Sequence, residues 1–319
     1  MKEYIVKNGK KLRCGYTTGT CAAAASSGAV NLLLSGRAEE NVTVLLQGGE
    51  ALVIKLYGHE LNENTAICYV IKDSGDDPDV TDGIKVYAHV KKNKSGAVSI
   101  EGGKGVGRVT QKGLDCPVGS PAINSVPRRM IIENVRNACD KFGYEGGIDI
   151  VISVPEGEEA AKKTFNPHLG IVGGISIIGT TGIVEPMSEK ALVDSLKLEM
   201  RVIKEKGYKD LLAFPGNYGR SFIDKALGIR GENSIKFSNY LGEVLDYALY
   251  LGFEEIVIVG HIGKMVKAAG GMMNTHSHNG DFRMEIFGCF AGLYGASSEV
   301  IKELLSCVTT EQALDILEK

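Results

Sequence analysis

Four short apolar runs set the tightest limit on what this 319-residue chain can fold into. Ile148 to Val154, Gly174 to Ile178, Leu211 to Phe214 and Ile256 to Val259 are each bounded by glycine or proline, and each leads through a loop into helical sequence. Runs of this length alternating with helices describe a parallel sheet with crossover connections. The helices carry marks of their own. Ser188 precedes a stretch with Leu192, Leu196, Met200 and Ile203 on one face and Gly207 as its stop. Asn239 to Tyr250 behaves likewise and ends at Gly252, and Thr309-Thr310-Glu311-Gln312 is a capping box for a last helix.

The first 145 residues read differently. Thr17-Thr18-Gly19-Thr20 supplies capping oxygens ahead of Cys21 and four alanines, and Gly36 closes the helix that follows. Val42 to Leu46 and Leu52 to Leu56, joined through Gly48-Gly49, form a hairpin. Ala66–Ile71, Ile84–Val90 and Ala97–Glu101 are further strands, and Pro127 opens a helix through Lys141. At about 150 residues per domain, two domains are expected. The expected fold class is α/β. An α+β domain spans residues 1–145, and a Rossmann-like α/β domain with a mainly parallel sheet, the cofactor-binding one, spans 146–319.

Composition excludes several function classes. Lysine plus arginine is 36 against 39 acidic residues, a formal charge of −3, which argues against a nucleic-acid binder. Ile171 to Val184 is the longest apolar stretch; Ser176, Thr180 and Thr181 interrupt it, and it is too short to span a bilayer. Seven scattered cysteines without a C-x-x-C fit reduced cytosolic thiols, not disulfides or structural zinc. With no apolar leader at the N-terminus, the expected location is the cytoplasm. No protein-held metal is expected. His261, His276 and His278 have no cysteine or carboxylate at a familiar ligand spacing, and the acidic loop Asp73–Gly83 lacks the glutamate that closes a calcium loop.

Glycine, at 41 residues, is abundant, and there is no linker-like tract to absorb it. It gathers at four strand ends: Val154-Pro155-Glu156-Gly157, Gly179-Thr180-Thr181-Gly182, Pro215-Gly216-Asn217-Tyr218-Gly219 and Gly260-His261-Ile262-Gly263-Lys264. Ligands of open parallel sheets bind outside such ends, where glycine lets backbone come close and helix N-termini offer free N–H groups. None of the four is a P-loop. Gly103 to Gly107 does not open a helix, so the dinucleotide fingerprint fails its context. Lys104, Arg108, Arg128, Arg129, Arg220 and Lys264 lie near these loops and suit an anionic ligand. From the residues alone the chain holds a polar small molecule, with an enzyme favoured over a binding module by the His, Lys and Glu at strand ends.

Particular strings carry a resemblance. Leu12-Arg13-Cys14-Gly15-Tyr16-Thr17-Thr18-Gly19-Thr20-Cys21 followed by four alanines, Asp77-Pro78-Asp79-Val80-Thr81-Asp82-Gly83, Gly105-Val106-Gly107-Arg108 and Pro127-Arg128-Arg129-Met130 are similar to the cobalt-precorrin-5B (C1)-methyltransferase family, CbiD. Ser153 to Gly157, Leu169 to Val184, Pro215 to Gly219, Gly260 to Lys264 and Met273 to Ser277 extend it across nearly the whole chain. Cys14 departs from the small residue or threonine expected there. The resemblance implies methyl transfer from S-adenosyl-L-methionine to C1 of cobalt-precorrin-5B, giving cobalt-precorrin-6A in anaerobic cobalamin synthesis. Cobalt then enters only with the corrinoid substrate.

On that basis the cofactor is expected at Gly179, Thr180, Thr181 and Gly182, at Gly216, Asn217 and Gly219, and at Gly260 and Gly263. Glu156 or Glu185 would meet ribose hydroxyls. The macrocycle is expected in a cleft between the domains, against Thr17, Thr18, Thr20, Arg128, Arg129 and Lys264. His261 and His276 are the candidates for proton handling or contact with cobalt. Replacing Gly179 and Gly182 by valine should then abolish cofactor binding. A dinucleotide-dependent oxidoreductase and a non-catalytic corrinoid carrier are the competing readings, and a homo-oligomer is left open.

Overall fold

The computed structural model describes residues 3–223, 225 and 231–318. They fall into two units, Met1–Ser188 and Glu189–Lys319. In the first, the hairpin of β1 (Tyr4–Lys7) and β2 (Lys10–Arg13) precedes β3 (Gly15–Tyr16) and helix α1 (Thr18–Ser35). The Thr17 hydroxyl accepts from the Thr20 amide at 3.2 Å to start α1, and Gly36, at φ 70°, ends it. Every residue from Thr18 to Leu33 is buried. A helix buried all round needs small side chains on its close-packed faces, which the alanines and Gly28 (pressed against Leu56) provide.

The chain continues through the hairpin β4 (Asn41–Leu45) and β5 (Ala51–Lys55), then β6 (Tyr57–Leu61), β7 (Thr65–Ile71), β8 (Lys85–Asn93) and β9 (Val98–Gly102). Two short strands, β10 (Gly105–Val106) and β11 (Arg108–Val109), lead to α2 (Ser125–Lys141), β12 (Gly147–Ser153) and the short α3 (Gly157–Ala161). The two-residue strands β13 (Ile171–Val172), β14 (Gly174–Ile175) and β15 (Ile183–Val184) complete the unit. Its main sheet has the order β6-β7-β8-β12-β9 and is antiparallel except between β12 and β9. Ala66, Cys68 and Val70 of β7, Val86, Ala88 and Val90 of β8, and Ile148, Ile150 and Ile152 of β12 face the core with α1 and α2.

Two expectations are corrected here. The boundary lies at residues 188/189, not near 145, because β12 sits inside the sheet of the first unit, with β8 on one side and β9 on the other. β12 is not a strand buried on both faces: Asp149 and Ser153 are half-buried and Val151 is 37% exposed, the alternation of a sheet open on one side. Residues 174–178 likewise belong to no crossover sheet. β14 pairs with β10 alone, and Ile177 bridges to Ile123.

The second unit begins with α4 (Glu189–Glu205) and continues through β16 (Asp210–Phe214), α5 (Asn217–Phe222), β17 (Ser234–Lys236), α6 (Leu241–Leu251) and β18 (Glu255–Ile258). The three strands form a parallel sheet of order β17-β16-β18, so the parallel α/β expectation holds for Leu211–Phe214 and Ile256–Val259. Met200 and Ile203 of α4 pack with Leu211, Ala213, Ile235 and Phe237, and with Leu241, Val244 and Ala248 of α6. Helices α7 (Ile262–Ala269), α8 (Arg283–Leu293), α9 (Ser298–Ser306) and α10 (Thr310–Leu317) follow, and Thr309 and Gln312 form the expected capping box.

Candidate ligand site

The carboxyl ends of β16, β17 and β18 run into the loops that border a cavity of about 580 Å³ in the second unit. Gly216 and Tyr218 follow β16, Asn239 follows β17, and His261 and Lys264 follow β18, with His276 on the loop before α8. Of the expected site residues this cavity gathers Gly216, Gly219, His261, Gly263, Lys264 and His276. Asn217 is exposed beside it, and its Oδ1 accepts from Lys236 Nζ at 3.4 Å. Gly260 is taken up by packing, since a β-carbon there would meet Pro215 and Met265 at 3.1 Å. The Arg220 side chain lies outside the described residues.

Among the described glycines that line this cavity, Gly216 is the one that faces open space. A β-carbon on it would meet no atom within 4 Å, and its φ is not in the left-handed region. The two histidines play the same local part. His261 Nδ1 accepts from the Gly263 amide at 3.2 Å and caps α7, while its Nε2 stands 3.4 Å from Glu311 Oε1. His276 Nδ1 accepts from the His278 amide at 3.0 Å. Both rings are therefore fixed as the tautomer with the proton on Nε2, assigned from the hydrogen-bond network. Tyr218 meets His261 edge-on, with centroids 6.0 Å apart.

The cavity is cationic. Lys267, nearly fully buried, donates to the carbonyls of Thr275 (3.4 Å) and Gly280 (3.2 Å) and lies 3.7 Å from Asp281 Oδ1. Arg283 grips Asp281 through Nε and, at 2.7 Å, through Nη2. That guanidinium holds the Asp281 carboxyl below the usual carboxylate range, with the Lys267 charge adding to the effect. Lys264 Nζ donates to Asn239 Oδ1 (2.9 Å) and the Ser238 carbonyl (3.3 Å). Burial, and then the neighbouring Lys267 charge, push the Lys264 ammonium below its ordinary value. Sequence reasoning missed Tyr218, Asn239, Lys267, Thr275, Asp281 and Arg283. The one available signal was Lys267, three residues after Lys264 on the same helix face.

The other expected residues lie in the first unit and are used there. Thr20 Oγ1 donates to the Gly182 carbonyl at 2.7 Å, Thr18 Oγ1 accepts from the Ile178 amide at 2.9 Å, and Gly19 N donates to the Ile178 carbonyl at 3.0 Å. Thr17, Thr18 and Thr20 are buried, so they tie the Gly179–Gly182 turn to the start of α1 and do not line an open pocket. Gly179, at φ 141°, packs on Thr17, while Thr180 and Thr181 are exposed. Valine at Gly179 or Gly182 would strain the backbone and strike Thr17 or Leu46, so that double substitution reports on folding and not on cofactor binding. Glu156, Glu185 and Arg129 are exposed, and Arg128 Nη1 donates to the Ile100 carbonyl at 3.1 Å. Among the described residues, no three His, Cys, Asp or Glu side chains are arranged to hold a metal ion.

Taken together, these features define an α/β protein with a cavity at the carboxyl ends of a parallel sheet, lined by three cations and one carboxylate. The CbiD family model matches residues 5–186, and the model of the CbiD C-terminal domain matches residues 274–319. The chain belongs to the CbiD family. A relative from Ruminiclostridium cellulolyticum, named cobalt-precorrin-5B C(1)-methyltransferase, is 49% identical over 319 residues, covering 100% of this chain and 83% of its own length. Relatives of the same name from Alkaliphilus metalliredigens and Citrobacter koseri are 46% and 43% identical, over 100% and 98% of this chain and 84% and 81% of theirs. The crystal structure of a cobalamin biosynthesis protein (cbiD) from Archaeoglobus fulgidus shares 32% identity, covering 87% of this chain and 86% of that one, with a TM-score of 0.46.

Proposed function

We infer that this chain carries out the reaction for which its relatives are named, methylation of cobalt-precorrin-5B at C1, a step of cobalamin biosynthesis. The observation that carries the reading is 49% identity, over every residue of the chain, to a relative so named. The methyl donor is S-adenosyl-L-methionine, whose sulfonium supplies an activated methyl group. A C1–methyl bond forms as the carbon–sulfur bond breaks, the sulfur keeps the bonding pair, and S-adenosylhomocysteine leaves beside cobalt-precorrin-6A. Cobalt arrives as part of the substrate. The enzyme works in the cytoplasm; among the described residues, no helix is long and apolar enough to cross a membrane.

An electron-rich macrocycle attacking a sulfonium needs alignment more than acid or base catalysis. The cavity of the second unit suits that task. Gly216 leaves room for a ligand where a side chain would stand, and Tyr218 offers a ring face to a sulfonium or a purine. His276 lines the cavity and commits Nδ1 to the His278 amide, which leaves Nε2 as the candidate to hold or move a proton.

The test is anaerobic incubation of the purified protein with methyl-labelled S-adenosylmethionine and cobalt-precorrin-5B, followed by mass spectrometry of the corrinoid. One labelled methyl group, located at C1 by fragmentation, is the expected result. Tight macrocycle binding without methyl gain would make the chain a carrier, and consumption of a nicotinamide cofactor would make it an oxidoreductase.

A further inference from the structure

We propose that Lys264 is the carboxylate receptor of the cavity, its ammonium taking a carboxylate of the bound ligand. This deepens the reading above and rests on the cavity being the ligand site.

The argument begins with the charges around the cavity. Asp281 is engaged by two cations, Arg283 through a paired contact and Lys267 at 3.7 Å. Lys267 is satisfied further by two carbonyls. Lys264 differs from both. Its two partners, Asn239 Oδ1 and the Ser238 carbonyl, are neutral, and it enters none of the ion pairs among the described residues. An ammonium carries three hydrogens, so two partners leave one donor over. The residue is half-buried and lines the cavity.

A half-buried cation held only by neutral oxygens is poorly compensated, and an anion supplied from outside relieves that. The depressed basicity of Lys264 has the same origin. The local backbone adds an independent sign. Ser238, which presents one of the two carbonyl partners, sits at φ 56°, a left-handed conformation that costs a non-glycine residue free energy and gathers at ligand sites. Two ligands of the proposed reaction carry carboxylates: the methionyl end of the donor and the acidic arms of the macrocycle.

The experiment titrates S-adenosylhomocysteine and 5′-methylthioadenosine, which lacks the amino-acid end, into the wild type, Lys264→Met, Lys264→Arg and Gly216→Leu, with the macrocycle KM measured in parallel. Lys264→Met should weaken a carboxylate ligand by about 10- to 100-fold, the loss of one charged hydrogen bond, while Lys264→Arg keeps most of the affinity. Weaker S-adenosylhomocysteine with unchanged methylthioadenosine assigns the methionyl carboxylate. Unchanged S-adenosylhomocysteine with a raised macrocycle KM and an unchanged kcat assigns a macrocycle carboxylate. Either result supports the proposal. If Lys264→Met leaves both ligands as they were, or weakens both nucleosides equally, the proposal fails. Gly216→Leu separates the two levels. If it abolishes binding while Lys264→Met does nothing, only the Lys264 assignment falls. If it too leaves binding intact, the cavity itself is not the ligand site.

Discussion

The glycine-rich turns at residues 154–157 and 174–182 and those at 215–219 and 260–263 look alike as strings, and Gly219 and Gly260 pack closely like those of the first unit, but Gly216 is used in the opposite way. In the first unit, Gly105, Gly157 and Gly174 press backbone against backbone: a β-carbon on Gly105 would collide with the Val154 carbonyl, and one on Gly157 or Gly174 with the Gly105 carbonyl. The threonines beside α1 give their hydroxyls to the neighbouring turn. In the second unit, Gly216 faces open space in a cavity lined by Lys264, Lys267 and Arg283. The comparison teaches that glycine at a strand end marks close approach, and that only the packing around it tells whether protein or ligand does the approaching.

Substitutions can break or sharpen that contrast. The largest effect is expected from Gly105→Val, where the new side chain has rigid backbone on two sides. About 3 kcal/mol of stability should be lost, read as a lower urea midpoint or as failure to fold. Thr20→Val should cost about 1 kcal/mol by removing one of the two hydrogen bonds to the Gly182 carbonyl, which keeps the Thr17 amide as its donor, with no change in ligand affinity once folded. A change in affinity without a change in stability would move Thr20 back to the binding site.

A smaller, pH-dependent effect is expected at the pair of buried Lys72 with Asp79, 2.7 Å apart. Burial pushes the Asp79 carboxyl up, but the Lys72 ammonium and two bonds from Thr81 more than offset it, so it titrates below the usual range. Its contribution is therefore full above the unfolded-state carboxylate value and disappears as pH falls through the lower folded value. Urea midpoints measured from pH 7 downward should drop more steeply in wild type than in Asp79→Asn. Equal slopes would remove the pair from the acid response. Gly216→Leu should disturb stability least, by about 0.5 kcal/mol or less, because nothing stands where its side chain goes. Its whole effect should appear in ligand binding, the reverse of Gly105→Val.

Much of the local structure was legible in advance. The caps of α1 at Thr17 and Gly36, the β4–β5 hairpin, the stop at Gly252 and the Thr309–Gln312 box depend on residues a few positions apart. The resemblance to CbiD was legible too, because its strings are contiguous. The candidate site was only half legible. Gly216, His261, Lys264 and His276 could be chosen from loops, whereas Asp281 and Arg283 stand in no recognisable spacing to them. The alternation Ile148-Asp149-Ile150-Val151-Ile152-Ser153 was present in the string but read as a continuous apolar run.

By itself, then, the sequence determined the elements, their ends, the family and with it the reaction to test. Tertiary structure decided which sheet takes β12, where the units divide, which threonines are closed off and, among the described residues, which cavity lysine has only neutral partners. Caps and periodicity are governed by contacts within one or two turns, so one string contains them. Sheet membership, the Gly105–Gly174 contact and the division of Asp281 between Lys267 and Arg283 depend on how segments pack, and their free energies appear only when those segments meet.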